Sequence, residues 1–184
     1  MKKMVLAAAA ALALSGQAAG VQAATIWLSP TSQTVMVGDP VTLQMFMDFT
    51  DEATFGGGVD LFYNDAVLDY VSYTPGGIGM PFYDRAPDEL PGELNGIGFG
   101  HDNGISGPGL VGTLLFNAVI RGTVDITLAT NDLPLGEFYS AVDFERMTVD
   151  YLGAQVNAVP LPAAGWLLGS GLLGLVGLRR RQDS

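Results

Sequence analysis

The chain's single histidine, His101, stands beside Asp102 and five residues before Ser106, so a base, an acid and a hydroxyl lie close together in sequence. A hydroxyl nucleophile needs a base within hydrogen-bond reach and a third group that orients the base. Adjacent side chains on an extended chain point to opposite faces, so His101 and Asp102 are poorly disposed for that relay. No nucleophile elbow accompanies Ser106. The Gly-rich residues 98–104 read instead as a turn, with Asn103-Gly104 at its tip and His101 exposed. Calcium is the better-matched chemistry. Asp102-Asn103-Gly104 and the acids of residues 48–52 offer hard oxygen ligands on turns, although neither has the spacing of a complete EF-hand loop. Asp102 and Asn103 are therefore the candidate Ca²⁺ ligands, and no other cofactor is expected.

Two further chemistries involve carbohydrate. Hydrolysis needs paired carboxyls about 5–10 Å apart in a cleft, and scattered acids without a cleft motif describe a solvated acidic surface better. Sugar binding needs exposed planar rings. Trp27, Phe62, Tyr70, Tyr73, Phe82, Tyr83 and Tyr139 are available. Tyr70 and Tyr73 sit three apart, which puts them on opposite faces of a regular strand. Phe82-Tyr83 lies in the stretch 76–94, whose prolines and acids predict a long surface loop.

The elements that must position these groups have the period of strands. Val41, Leu43, Met45, Met47 and Phe49 alternate with polar residues, Phe46 excepted. Val59, Leu61 and Tyr63 alternate with Asp60 and Asn64, while Leu114, Phe116, Ala118 and Ile120 share one face. Val124, Ile126 and Leu128 alternate with Asp125 and Thr127. Turn signals separate the runs at Gly38-Asp39-Pro40, Gly56-Gly57-Gly58, Asn64-Asp65, Pro75-Gly76-Gly77, Ser106-Gly107-Pro108-Gly109 and Arg121-Gly122. Short strands at this spacing, with almost no helical pattern, predict an all-β sandwich. Residues 24–158 are enough for one domain with one core. They contain no cysteine, so the core must hold without disulfides, and thiol and zinc-finger chemistry are excluded. Eighteen of the nineteen acids fall there against Arg85, Arg121 and Arg146, a net of about fifteen negative charges that repels nucleic acid and anionic lipid headgroups.

The flanks read as targeting segments. Lys2 and Lys3 precede an apolar run over residues 4–14, and Val21-Gln22-Ala23 places small-to-medium residues before a signal-peptidase cut after Ala23. A cut after Ala24 would put Gln22 in the small-residue pocket. The apolar run is too short to span roughly 30 Å of hydrocarbon, so residues 1–23 are expected to be a signal peptide. Residues 163–178 form a run of sixteen without a charge, followed by Arg179-Arg180-Arg181. Pro160 and Pro162 give this run a non-helical start. The arginines hold the tail cytoplasmic, which puts the domain outside on one transmembrane helix.

Val159-Pro160-Leu161-Pro162, the Gly/Leu-rich run with an early Trp166, and the Arg cluster together resemble a PEP-CTERM sorting signal over residues 159–181. Leu161 stands where that family carries Glu, which removes the motif's one charge. The resemblance implies recognition and processing by a membrane exosortase. It also implies an inner-membrane stage with the domain in the periplasm, then the cell surface or extracellular matrix of a Gram-negative bacterium.

A second resemblance covers most of residues 26–151. Val37-Gly38-Asp39-Pro40-Val41-Thr42-Leu43 is similar to a "V-G-D-x-V-x-V" segment leading into a strand. The segments 58–68, 105–116 and 121–128 are similar to the patterns "G-x-x-F-x-L-x-Y-D-x-x-V-L", "G-x-G-x-L-x-x-I-x-F" and "G-x-x-x-I-x-L". In this order they resemble a cohesin domain, a jelly-roll sandwich related in fold to cellulose-binding modules. Together the resemblances imply a non-enzymatic adhesion or scaffolding module with polysaccharide or surface-protein partners, associated with exopolysaccharide or biofilm. The alternative is a carbohydrate-binding or hydrolytic module using acids near residues 76–94.

Overall fold

A computed structural model describes residues 24–81, 83–131 and 136–161 as two sheets packed face to face. The proposed signal peptide with its Ala23 cut, Phe82, Pro162, the expected helix 163–178 and Arg179, Arg180 and Arg181 lie outside the described residues. Within them the chain forms β1 (Ala24–Ser29), β2 (Ser32–Met36), β3 (Pro40–Asp48), β4 (Thr54–Phe62) and β5 (Leu68–Pro75). It continues through β6 (Asp88–Leu90), β7 (Glu93–Ile105), β8 (Pro108–Ala118), β9 (Gly122–Thr130), β10 (Val149–Leu152) and β11 (Ala154–Val159). One sheet has the order β10-β1-β3-β8-β5, the other β2-β11-β9-β4-β7-β6.

The period-two pattern builds the core as expected. Val41, Leu43, Met45 and Met47 of β3 are fully buried, and Phe49 follows on the same side. Phe46 breaks the pattern because it faces outward, where it pairs with Trp27 of β1 and stacks on it at 5.6 Å. Ile120, expected to share a face with Leu114, Phe116 and Ala118, is 51% exposed. Strand β8 ends at Ala118, and the chain is already turning toward β9.

The two terminal strand pairs close the sandwich along one edge. β1 and β2 are separated only by Pro30-Thr31, β10 and β11 only by Gly153, yet each pair is divided between the two sheets. β1 runs parallel to β10, with Ala24 opposite Val149, and β2 runs parallel to β11, with Met36 opposite Val159. The sandwich therefore has two distinct poles. Ala24, Asp48, Thr54 and Val149 lie at one. Met36, Ala118, Gly122 and Val159 lie at the other, about 30 Å away at the rise of a nine-residue strand.

Beyond Ile120, four expectations about turns, faces and loops are overturned. Gly56-Gly57-Gly58 is not a turn but the middle of β4. Gly56 has φ +118°, and a Cβ there would lie 2.1 Å from the Phe99 carbonyl oxygen, so only glycine lets β4 approach β7 this closely. A Cβ on Gly57 would sit 3.0 Å from the ring of Phe138, which is fully buried between Phe49 and Phe99.

The second concerns Tyr70 and Tyr73, which share a face. A register shift between Tyr70 and Ser72 resets the alternation, so both rings turn inward, opposite buried Phe116 and Leu114. The third concerns residues 76–94, which are not a structureless loop. Arg85 bridges Gly98, and β6 pairs with β7 across Pro91-Gly92, a proline–glycine turn with Gly92 at φ +72°. The fourth is that Asn103-Gly104 lies within β7, and the chain reverses at Ser106-Gly107 instead.

Asp60, which the alternation places outside, is only 6% exposed. Its Oδ1 accepts hydrogen bonds from the Gly96 N–H at 2.8 Å and from Asn131 Nδ2 at 2.7 Å, and Asn131 is itself fully buried. These bonds sit where the β4–β7 register shifts between Val59 and Leu61, so the carboxylate satisfies donors that the ladder leaves over. Asp60→Ala should therefore lower unfolding free energy by about 2–4 kcal/mol in urea titrations with an unchanged m-value, since two buried donors lose a charged acceptor. A loss below about 0.5 kcal/mol, the range of ordinary surface changes, would refute this role for Asp60.

Candidate functional site

The pole that carries Ala24 and Asp48 holds a groove of about 700 Å³. Trp27 forms part of its wall, with Asp48 from the end of β3, Asp51 and Glu52 from the turn after it, and Asp143, Glu145 and Arg146 from the segment before β10. Five carboxylates thus surround one cation, and Arg146 is ion-paired with Glu137. Asp48 is committed to its own turn, its Oδ1 accepting from the Thr50 N–H at 2.9 Å and the Thr50 hydroxyl at 2.5 Å.

Beside the groove, residues 139–146 form a compact hairpin tip. Tyr139 bridges Arg146, the Ser140 N–H donates to the Glu145 carbonyl at 2.9 Å, and the Phe144 N–H donates to Ser140 at 3.2 Å. The tip is fastened to β4 and the residue before it, with the Phe55 N–H donating to the Tyr139 carbonyl and the Ala141 N–H to Ala53. Ser140 is 1% exposed, and its hydroxyl oxygen accepts from the N–H groups of Val142 at 3.1 Å and Asp143 at 3.3 Å. Asp143 Oδ1 accepts from the Glu145 N–H at 3.0 Å. That backbone bond, joined by the Ser140 hydroxyl, holds the Asp143 carboxyl below the ordinary carboxylate range.

This scaffold presents apolar side chains to solvent. Val142 is 75% exposed and Phe144 70%, with Phe144 packed on Phe55 at 5.4 Å. Phe144 has φ +66°, the one positive φ at a non-glycine residue among those described. Such a backbone costs of order 1–3 kcal/mol and persists only where its surroundings enforce it. The tip is therefore a rigid display of an aromatic side chain.

The other sequence candidates are engaged differently. Asp102 accepts from the Tyr83 hydroxyl at 2.5 Å, and that bond raises the Tyr83 pKa. His101 Nδ1 accepts from the Asn103 N–H at 3.0 Å, so this nitrogen is not turned toward Ser106. Among the described residues no three His, Cys, Asp or Glu side chains gather as a metal site. Asp88 pairs with Arg85 at 2.5 Å, and Glu93 accepts from Asn95 Nδ2 at 2.9 Å, so these acids of the 76–94 stretch serve the β6–β7 hairpin. Val159 ends β11, and Leu161 is 57% exposed. The residues 48–52, singled out as oxygen donors, do line the groove. The tip was missed, though Ser140 three before Asp143 with aromatics on both sides is a readable side-chain-capped turn.

Ser140→Ala should cost about 1–2 kcal/mol and speed amide exchange at residues 142–145. The pH dependence has a definite sign. A carboxyl whose folded pKa is depressed contributes fully above its unfolded value near 3.9 and loses that contribution as pH falls through the depressed one. Amide protection at the tip should therefore hold down to about pH 4 and fall below it. Asp143→Asn should remove that acid limb, and an unchanged profile in the variant would refute the assignment.

No protein-family model matches the chain, and no curated protein sequence matches it. Solved structures do. A non-cellulosomal cohesin from the hyperthermophilic archaeon Archaeoglobus fulgidus superposes with a TM-score of 0.57 at 19% identity, covering 78% of this chain and 96% of that one. A type II cohesin domain from the cellulosome of Acetivibrio cellulolyticus gives 0.54 at 20% identity, over 74% and 96% of the two chains. A cohesin module from a Clostridium perfringens family 33 glycoside hydrolase gives 0.55 at 14%, over 77% and 98%. At these identities the likeness is one of fold, and the described residues have the architecture of a cohesin-like β-sandwich.

Proposed function

We propose that this chain is an exported, non-enzymatic adhesion or scaffolding module that engages a partner through its groove-bearing pole. In this reading residues 1–23 direct export and residues 159–181 hold the domain on the outer side of the inner membrane. Exosortase then processes the tail, and the domain passes to the cell surface or a polysaccharide matrix. The observation that carries the reading is Phe144, displayed in a strained conformation beside an acidic groove, at the pole opposite the one from which the chain leaves β11. Large rigid aromatics in such positions act as binding anchors. Five groove carboxylates against one paired arginine suit a cationic segment of a partner protein. The fold does not name that partner, since similar sandwiches occur in a cellulosome, in a glycoside hydrolase and in a non-cellulosomal archaeal protein.

Trp27 favours a second reading. Its ring lines the same groove among carboxylates, which is the equipment of a sugar site. The two readings separate on variants of the full chain, measured for saturable binding to matrix-bearing cells of the producing strain. Protein partnership predicts that Phe144→Ser weakens binding by roughly thirtyfold, a loss of about 2 kcal/mol, and that protease treatment of the cells abolishes it. A sugar site predicts glycan-array binding that Trp27→Ala removes and Phe144→Ser leaves intact. Retention of full affinity by both variants would sink the pole as a binding site. The sorting half of the proposal predicts that deleting residues 163–184 moves the protein to the soluble fraction. A full-length protein that is equally soluble in cells lacking exosortase would overturn it.

A further inference from the structure

The pole around Val159 also presents apolar side chains to solvent. Three chain segments are tied together there. The Val37 N–H donates to the Val159 carbonyl at 2.9 Å, the Gly38 N–H to Ala118 at 2.7 Å, and the Ala118 N–H to Asp39 at 3.0 Å. A fourth joins where the Val119 N–H donates to Val67 at 2.8 Å. This fixed platform carries exposed apolar side chains, with Met36 at 37%, Val119 at 42%, Ile120 at 51% and Leu161 at 57% exposure. Next to Ile120 stands Arg121. Arg85 and Arg146 have carboxylate partners, whereas Arg121 makes no ion pair among the described residues. An unpaired cation beside aliphatic side chains matches the chemistry of a lipid headgroup layer, where phosphates overlie hydrocarbon.

Chain length decides what covers this platform. The uncharged run of residues 163–178 begins four residues after Val159. Four residues span at most about 14 Å, and Pro160 and Pro162 keep them from coiling into a helix. The headgroup region is about 5–8 Å deep on each side of the hydrocarbon. A domain tethered this closely, leaving by this pole, meets the bilayer with these side chains first.

We propose that the Val159 pole is a membrane-resting face. Met36, Val119, Ile120 and Leu161 sit in the headgroup layer and Arg121 on a lipid phosphate, so that the groove and Phe144 point away from the bilayer. This rests on the reading of residues 163–178 as a membrane anchor and adds that the domain is seated rather than free on its tether. Asp39, Asp65 and Asp69 also lie near this pole, Asp69 opposite Asn117 beside Ala118, and Asp39 accepts the Met36 N–H at 3.2 Å, so net charge there opposes anionic headgroups and the seat is held against it by apolar contact and the one cation.

The absence of cysteine makes the test direct. Full-length Ile120→Cys and Val142→Cys, each labelled with a polarity-sensitive fluorophore, are reconstituted in phosphatidylcholine–phosphatidylglycerol vesicles carrying nitroxide on the lipid chains near the headgroup. The expected result is a blue-shifted, quenched emission at position 120 and an aqueous, unquenched emission at position 142. Arg121→Gln combined with Ile120→Ser, read from a label at position 119, should lose much of the quenching. If the protein floats with the vesicles while both labels report water, the anchor stands and the seated pole is wrong. If it does not float with them, the anchor reading fails and this inference with it.

Discussion

The parallel pairing of the first and last strands, carried through both sheets, is the constraint on which the rest of the structure depends. Each terminal segment begins in one sheet and ends in the other, so β1 against β10 and β2 against β11 close the open edge of the sandwich twice. With no cysteine available for a bridge, this pairing and the apolar interior are what join the ends of the domain to its middle. It also fixes polarity. Because the paired strands run the same way, the chain enters the domain at one pole and leaves it at the other.

Much of this frame was legible because burial imposes a strict period on a strand with one wet face. Val41 to Met47, Leu114 to Ala118 and Val124 to Leu128 all turned inward as their alternation required. Two of the failures share a cause: the period is reset where the ladder slips. The shift after Tyr70 turns Tyr73 to the face that counting assigned to its neighbours. The shift beside Asp60 draws a carboxylate into the interior of a network that no periodicity announces. Glycines misled in a related way. A run of three reads as a turn, yet here the missing side chains make room for the Phe99 backbone and the Phe138 ring.

The candidate site was less legible, for a reason of distance. Its groove joins Trp27 and the turn after β3 to the segment before β10, which lies more than ninety residues further on and meets them through the β1–β10 pairing and the bonds that Ala53 and Phe55 make to the tip. The acids at 48–52 were visible as oxygen donors. Their companions Asp143 and Glu145, and the Phe144 between them, became neighbours only in three dimensions. Charge alone would not have found the place, since acids are spread along the whole domain.

The direction of the terminal strands has a mechanical consequence. For a module held at Val159 and pulled through Phe144, tension runs along the strands. β11 is flanked by β2 on one side and β9 on the other, with five paired residues in each register. Load along that axis slides the strands past each other and strains all their hydrogen bonds at once. Load across the axis would instead peel the ladder open one bond at a time. The topology that pairs the first and last segments as parallel neighbours thus also sets the domain in shear, the geometry in which a sheet best resists being drawn apart.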